Sequence, residues 1–190
     1  MLIPQYLKKQ KIWLVLGLIA ALLGVGTTMY SVNHDIQLKL NHQTESACNI
    51  NDQFNCNSVA EDKLAVILGV PLGFYGLAYF VAIIILLLIG LSDLSISNAH
   101  IQAYLAMNVI GFVVAISLFL YAKFGIGVLC PSCMAIDTVT ILQLILMGIF
   151  YRSIPKKDIT IKNLIMGGFT ATVVVVIVVA GYMLFGPRLS

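Results

Sequence analysis

The feature that most constrains this chain is a series of five apolar runs, each long enough to cross a membrane. The runs cover residues 12–30, 71–91, 101–121, 131–150 and 164–185. A helix needs about 20 apolar residues to span a hydrocarbon core of about 30 Å. With 60% hydrophobic and 10% charged residues, the chain is too apolar for an ordinary soluble domain. Because every backbone polar group in lipid must be paired within the protein, we expect an all-α integral membrane protein.

The distribution of Lys and Arg predicts the orientation of these spans, because cytoplasmic loops carry an excess of both. A cytoplasmic N-terminus puts seven of the eleven Lys and Arg residues inside and four outside. The seven are Lys8, Lys9, Lys11, Arg152, Lys156, Lys157 and Lys162, and the four are Lys39, Lys63, Lys123 and Arg188. With five crossings, the C-terminus and all four cysteines then lie on the outer side, where disulfides persist. The net charge of +3 reflects this bias, so we expect membrane lipid and not nucleic acid as the surroundings.

The fourth run begins with Cys130-Pro131-Ser132-Cys133, a Cys-x-x-Cys pair. Such a pair can cycle between a dithiol and a disulfide. Pro131 is suited to the first turn of a helix, which places Cys130 near the N-cap, where the helix dipole favours a thiolate. Two inert buried thiols and half of a zinc site are the alternatives. We expect no metal, because the remaining cysteines lack zinc-ligand spacing.

The histidines do not change this expectation. His34, His42 and His100 show no metal-ligand spacing among themselves. They are predicted to be solvated surface residues.

Residues 31–70 form the one long predicted segment outside the membrane, and they carry the other two cysteines. Cys48 and Cys56 bracket a polar stretch with turn formers and no pattern of regular structure. If joined, they close a small loop, which either staples the segment or exchanges with the Cys-x-x-Cys pair. The capping-box pattern of residues 58–61 predicts a short helix that ends near Gly69, with Cys56 beside its N-terminus.

Asp137 is a carboxyl group inside the fourth apolar run. It lies one helical turn beyond Cys133 on the same face, roughly 10 Å inward of Cys130. A carboxyl at this depth is costly and marks a functional site. Its protonated form is favoured there and can donate a hydrogen bond. The alternative is a bond to a polar group of a neighbouring helix, such as Ser117.

Small residues in the first run predict close packing against another helix. These residues are Gly17, Ala20, Ala21, Gly24 and Gly26.

Taken together, these motifs resemble the vitamin K epoxide reductase family, especially its bacterial members. The resemblance covers about residues 12–150 and lies mainly in the order of four elements. They are the Cys-x7-Cys loop, Asn55-Cys56-Asn57-Ser58, Gly69-Val70-Pro71-Leu72 opening one span, and Cys130-Pro131-Ser132-Cys133 opening another. The resemblance implies a four-helix catalytic bundle, residues 1–150, around a quinone (ubiquinone or menaquinone). Residues 151–190 would be a basic cytoplasmic loop and a fifth transmembrane helix, in a bacterial inner membrane.

The resemblance also implies roles for individual residues. Cys130 and Cys133 match the pair beside the quinone, and Cys48 and Cys56 match the pair that exchanges with a thioredoxin-like (DsbA-like) partner outside the membrane. The candidate quinone contacts are Asp137, Phe74, Tyr75 and Ser117.

Two positions depart from the family pattern. Asp62 stands where the family commonly has a serine, so a contribution of that serine to quinone binding does not carry over. Asp137 stands where vertebrate members have a tyrosine, which argues against vitamin K epoxide as the substrate.

By this resemblance the chain is a membrane thiol:quinone oxidoreductase that makes disulfides. Electrons would pass from a reduced partner to Cys48 and Cys56, then to Cys130 and Cys133, then to quinone. Cys48 would form the mixed disulfide with the partner, Cys56 would attack Cys130, and the Cys133 thiolate would reduce the quinone. One alternative is the DsbB-type oxidase, in which the Cys-x-x-Cys pair comes first along the chain and not second. The other is a membrane scaffold whose disulfide only stabilises its outer loop.

Overall fold

The computed structural model describes residues 3–41, 48–92 and 98–153, together with Val173 and Val176. The helices are α1 (Ile3–Asn41), α2 (Cys56–Ala60), α3 (Leu72–Ser92), α4 (Asn98–Tyr121) and α5 (Pro131–Arg152). A 3₁₀ turn (Lys63–Ala65) and an antiparallel pair of two-residue strands, β1 (Val66–Ile67) and β2 (Val70–Pro71), connect α2 to α3. A π-helical turn, Ala122–Ile126, extends α4.

Four helices are long and apolar enough to cross a membrane, and they confirm the predicted all-α membrane fold. The spanning stretches are Lys11–Leu38, Leu72–Ser92, His100–Ile126 and Pro131–Arg152. They match the first four predicted runs. The fifth, at residues 164–185, lies outside the described residues apart from Val173 and Val176.

Helix α1 is longer than its apolar run, which ends at residue 30. It continues to Asn41, so the first part of the predicted outer segment is helical. Along this continuation Val32 and Leu38 are buried at 8% and 6% exposure, so it packs against the rest of the protein. This extension carries His34 and Asp35 to the cysteine end of the bundle.

Glycines let α1 and α3 approach each other closely. A Cβ at Gly73 would lie 2.8 Å from Val32 Cγ2, and one at Gly76 would lie 3.0 Å from Thr28 Cγ2. At Gly24 it would overlap the ring of Phe80. These contacts repeat along the α1 face at intervals of four residues, the pattern by which membrane helices pack without a hydrophobic driving force.

The predicted packing role of the small residues in α1 is confirmed at four positions and wrong at one. Ala20 and Ala21 are buried, Gly24 meets Phe80, and a Cβ at Gly17 would lie 3.1 Å from the Tyr104 hydroxyl. Gly26 points away from the other described helices, and no described atom lies within 4 Å of its Cβ position.

A buried polar network connects the three helices α1, α4 and α5. The Tyr104 hydroxyl donates a hydrogen bond to Gln143 Oε1 at 3.0 Å. Gln143 Nε2 in turn donates to the carbonyl of Gly17 at 2.8 Å. Helices α1, α4 and α5 are thereby fixed relative to one another around the apolar core, which includes Ile83, Leu87, Ile101 and Met147.

Candidate redox site at one end of the helix bundle

The structure brings all four cysteines together at the end of the bundle where α1 and α4 finish and α3 and α5 begin. A disulfide joins Cys48 and Cys56, while Cys130 and Cys133 are thiols. The Sγ atom of Cys130 lies 3.3 Å from that of Cys56. Cys48, Cys56 and Cys130 form a buried cluster against which Cys133 packs. The disulfide of the outer segment and the Cys-x-x-Cys pair therefore meet directly at Cys56 and Cys130.

Cys130 is the N-cap of α5, as the sequence predicts. Its Sγ accepts a hydrogen bond from the backbone N–H of Cys133 at 3.3 Å, and Pro131 lies in the first turn of the helix. The Ser132 hydroxyl lies 3.0 Å from Cys130 Sγ and 3.6 Å from Cys56 Sγ, so it contacts both sulfurs from one side.

These contacts favour the thiolate form of Cys130. The hydrogen bond from the Cys133 thiol is the largest cause that lowers the pKa of Cys130 from 9.0 to about 7. Burial opposes this shift, while hydrogen bonds from the Ser132 hydroxyl and the Cys133 N–H support it. The negative charge of Asp35 raises the same pKa. Close to neutral pH, a substantial share of Cys130 is therefore the nucleophilic thiolate.

The position of Cys56 relative to Cys130 is set by backbone pairing that the sequence did not predict. The Asn55 N–H donates to the Leu129 carbonyl at 3.0 Å, and the Leu129 N–H donates to the Gln53 carbonyl at 2.8 Å. Phe54 and Leu129 form a parallel bridge. Each cysteine follows directly after this paired segment, so the pairing brings the two sulfurs face to face.

The predicted capping box at residues 58–61 is wrong. Asn55 is the N-cap of α2, and its side chain accepts from the backbone N–H of Ser58 at 3.1 Å. Asn49 Oδ1 accepts from the N–H of Cys56 at 2.9 Å. Asn is among the strongest N-cap residues, and its position here starts the helix three residues early. Cys56 is consequently the first residue of α2.

The short helix also ends earlier than predicted, at Ala60 and not near Gly69. Asp62 caps a separate 3₁₀ turn by accepting from the N–H of Leu64 at 2.9 Å. Leu68 and Gly69 follow with positive φ values of 53° and 78°, which turn the chain between β1 and β2.

A cavity of about 530 Å³ opens directly beside the cysteine cluster. Helices α1, α3, α4 and α5 all contribute to its wall, which is mostly apolar. Cys56, Cys130 and Cys133 lie in that wall. The volume falls within the range of about 300 to 1,000 Å³ that is usual for small-molecule pockets.

The sequence-predicted quinone contacts divide into two groups. Asp137 and Tyr75 line the cavity, and the Tyr75 hydroxyl donates to the carbonyl of Ile67 at 2.9 Å. Of the residues described, Phe74 and Ser117 are not among those lining the cavity. The Ser117 hydroxyl donates to the Val113 carbonyl of its own helix at 2.8 Å.

Several residues near the site were not predicted from the sequence. His34, expected to be solvated, lies in the cavity wall with its Nε2 atom 2.9 Å from Asn57 Oδ1. Asp35 lies beside it, with one carboxylate oxygen 3.8 Å from His34 Nδ1. Tyr79 of α3 also lines the cavity. Helical spacing of apolar residues beyond residue 30 is the signal that could have placed His34 and Asp35.

Asp62, which stands where the family pattern has a serine, lies at the cavity wall. Its Oδ1 accepts a hydrogen bond from the Tyr121 hydroxyl at 3.3 Å. This contact links the α2–β1 connection to the end of α4. Across the three described segments, no group of three His, Cys, Asp or Glu side chains is placed to hold a metal ion.

Comparison with known proteins agrees with this arrangement of cysteines and helices. The model of the vitamin K epoxide reductase family matches residues 15–148, which is more than half of the chain and contains all four cysteines. No curated protein matches the chain. Because the family model covers the four-helix bundle and both cysteine pairs, the chain belongs to the vitamin K epoxide reductase family, whose members are oxidoreductases.

Proposed function

We propose that this protein is a membrane thiol:quinone oxidoreductase that forms disulfides in a thioredoxin-like partner. The observation that carries the proposal is the 3.3 Å distance between Cys56 Sγ and Cys130 Sγ. It connects a disulfide in the outer segment to a dithiol in the cavity wall. A Cys48–Cys56 disulfide that only stabilised the loop would not require a free thiol in contact with one of its sulfurs.

The first exchange step follows from the oxidation state in the structure. The Cys130 thiolate attacks Cys56 Sγ, so that the Cys56–Cys130 bond forms, the Cys48–Cys56 bond breaks and Cys48 leaves as a thiolate. The same mixed disulfide is reached in the direction of disulfide formation when the Cys56 thiolate attacks an oxidised Cys130–Cys133 pair. In that case Cys133 leaves as the thiolate. Each step exchanges one disulfide for another without net oxidation.

The partner would exchange with Cys48. A thiolate of the reduced partner attacks Cys48 Sγ, which releases Cys56 as the thiolate, and the second partner thiol then resolves the mixed disulfide. Cys48 is 7% exposed, so its sulfur becomes accessible to a protein only when the segment around it opens. We therefore expect opening of this segment to limit the rate of exchange with the partner.

The cavity fits a quinone ring by volume, by its apolar walls and by a buried Tyr79 hydroxyl that lacks a hydrogen-bond partner among the described residues. Cys133 and Asp137 would hold the ring on the α5 side, with Asp137 as a hydrogen-bond donor. A bound ubiquinone or menaquinone supplies the two-electron acceptor chemistry. The chain supplies the thiolate, the apolar enclosure and the hydrogen bonds that orient the ring.

The orientation that we propose places the cysteine end outside a bacterial plasma membrane and the N-terminus inside. The excess of Lys and Arg in the segments that the sequence predicts to be cytoplasmic supports it. The four long helices alternate in direction, and α1 ends at the cysteines, so the N-terminus and the cysteine end lie on opposite sides of the membrane. The redox unit would comprise residues 1–150, with residues 151–190 as a basic inner loop and a fifth span.

The proposal is tested by turnover of the purified protein. The protein is isolated with its native lipid, the quinone is extracted and identified, and reduced thioredoxin-fold proteins are offered together with that quinone. We expect disulfide formation in the partner to match quinone consumption, and Cys133→Ala to abolish both. Thr138→Ala, on the same helix but exposed, is the matched control and should retain turnover. Wild-type protein that oxidises no dithiol while quinone is present would contradict the proposal and favour the scaffold alternative.

A further inference from the structure

The Tyr79 hydroxyl is buried, and none of the described residues provides it with a hydrogen-bond partner. Tyr79 lies in the cavity wall on α3. A buried donor without an acceptor loses its bond to water without compensation, which destabilises the protein. A bound molecule that supplies the acceptor is one explanation for such a group.

Gly111 of α4 provides the space in which this hydroxyl sits. A Cβ at Gly111 would lie 2.6 Å from the Tyr79 ring and 2.8 Å from its hydroxyl oxygen, closer than real Cβ contacts allow. Gly111 also lines the cavity. Tyr79 and Gly111 thus pack closely against each other at the cavity wall.

Nearby polar groups of the bundle do not satisfy Tyr79. The Tyr104 hydroxyl donates to Gln143 Oε1, and the Asn108 side chain donates to the Tyr104 carbonyl at 2.8 Å. Asn108 Oδ1 is itself without a partner among the described residues, yet Asn108 does not line the cavity. Among the described residues none accepts a hydrogen bond from Tyr79, and the cavity that Tyr79 lines has room for a bound molecule that supplies the acceptor.

Tyr79 also lies across the bundle from the redox cysteines. Helices α3 and α5 each pack against both α1 and α4 and hardly against each other. Cys133 and Asp137 belong to α5, so Tyr79 and these residues face the cavity from opposite walls. The carbonyl oxygens of a 1,4-quinone lie at opposite ends of its ring, which suits donors on two facing walls.

We propose that the Tyr79 hydroxyl donates a hydrogen bond to one carbonyl oxygen of a 1,4-quinone bound in the cavity, and thereby positions the ring against Cys133. This inference rests on the proposed function, because it assigns a residue to the same quinone site. Tyr79 is a positioning residue, and no proton or electron leaves it.

The direct test uses a short-chain 1,4-quinone that carries ¹³C at its carbonyl carbons. Bound to wild-type protein in detergent, one carbonyl stretching band should shift to lower frequency than in detergent alone, because hydrogen bonding weakens the C=O bond. In Tyr79→Phe that band should return towards its free frequency. The dissociation constant should rise about 3- to 10-fold, the effect of one neutral hydrogen bond.

Thermal unfolding of the ligand-free protein separates this role from a structural one. Tyr79→Phe removes an unsatisfied hydroxyl and should leave the melting temperature unchanged or raise it, while reducing the increase produced by quinone. Tyr104→Phe is the matched control, since its hydroxyl already bonds Gln143. It should lower the ligand-free melting temperature and leave the carbonyl band unchanged.

The outcomes distinguish this inference from the proposed function. If wild-type protein binds quinone but Tyr79→Phe leaves the shifted band in place, the inference about Tyr79 is wrong and the proposed function stands. A lower ligand-free melting temperature in Tyr79→Phe would also overturn it, because the hydroxyl would then have a partner within the protein. If wild-type protein shows no saturable binding of any 1,4-quinone, the proposed function fails and the inference fails with it.

Discussion

Asn55 donates its backbone N–H to the carbonyl of Leu129 across 3.0 Å, and each of these residues stands directly before one of the two facing cysteines. The register of this pairing determines which sulfurs meet. Cys56 and Cys130 therefore meet at 3.3 Å, while Cys48 is bonded to Cys56. The exchange chemistry that we propose depends on this backbone contact.

Replacing Leu129 by proline should weaken that contact. Proline lacks the N–H that Leu129 donates to Gln53, so the loss should destabilise the loop by about 1 kcal/mol. We expect formation of a Cys56–Cys130 disulfide to slow by about tenfold, since the sulfurs are no longer held in the reactive geometry. Leu129→Ala keeps the N–H and serves as the control. Rapid quenching and peptide mapping measure the rate of disulfide formation in both variants. Equal rates would show that the pairing does not align the sulfurs.

The pH dependence of Cys130 reactivity should follow its lowered pKa. The thiolate forms as the pH rises through about 7, so alkylation of Cys130 by a small neutral reagent should be half-maximal near pH 7. Below that point the rate should fall about tenfold for each pH unit, because only the thiolate reacts. Site-resolved mass spectrometry of the protein with the loop disulfide intact measures this profile.

Two neighbours of Cys130 should move this midpoint in opposite directions. Ser132→Ala removes a hydroxyl that stabilises the thiolate and should raise the pKa of Cys130, whereas Asp35→Asn removes a negative charge and should lower it. A midpoint near pH 9 in the wild-type protein, or shifts of the same sign in both variants, would contradict this electrostatic account.

Asp137 should affect quinone reduction and leave thiol exchange largely intact. It lies in the cavity wall, one turn beyond Cys133 on α5. Asp137→Asn keeps a donor of similar size and should retain much of the activity. Asp137→Leu removes the donor and should raise the quinone KM or lower kcat by about 3- to 10-fold, as expected for one hydrogen bond. Unchanged quinone kinetics in the Leu variant would reduce Asp137 to a structural residue.

The glycines of α1 give a prediction about stability that is independent of redox chemistry. Gly24→Ala places a methyl group into the ring of Phe80 and should destabilise the protein by about 1 to 3 kcal/mol. Gly26→Ala meets no described atom within 4 Å and should stabilise the helix by about 0.5 to 1 kcal/mol. Denaturant unfolding of both variants in the same detergent checks the pair. Similar losses at the two positions would contradict the packing of α1 against α3.

The four spans and the N-cap position of Cys130 could be predicted from the sequence, because they depend on local composition and on Pro131. The cap of α2 was misassigned because two overlapping patterns compete there. Asn55, and not Ser58, is the N-cap, and its side chain accepts the hydrogen bond from the Ser58 N–H. The local sequence pattern allows either residue as the N-cap of α2. The pairing of this loop with Leu129 decides in favour of Asn55.

The cavity residues contributed by α1 and α3 were largely missed for a different reason. His34 and Asp35 belong to the extension of α1 beyond residue 30. Its polar and apolar residues are mixed, so a search for apolar runs alone predicts a loop there. Tyr79 is an aromatic residue in an apolar span. Only the packing of α4 beside it shows that its hydroxyl is buried without a hydrogen-bond partner among the described residues. Long-range packing, and not local pattern, places both sets.

The central claim is that Cys56 and Cys130 exchange directly, and a variant that retains only these two of the four cysteines tests it. In Cys48→Ala/Cys133→Ala protein, both resolving thiols are absent. We predict that mild oxidation in the membrane gives a Cys56–Cys130 disulfide, detected by mass spectrometry of the linked peptides. The matched Cys56→Ala/Cys133→Ala variant, which pairs Cys48 with Cys130, should form its disulfide at least about tenfold more slowly, because the pairing of Asn55 with Leu129 aligns Cys56 and not Cys48 with Cys130. Persistent free thiols at Cys56 and Cys130, or equally fast linkage of Cys48 to Cys130, would contradict the relay.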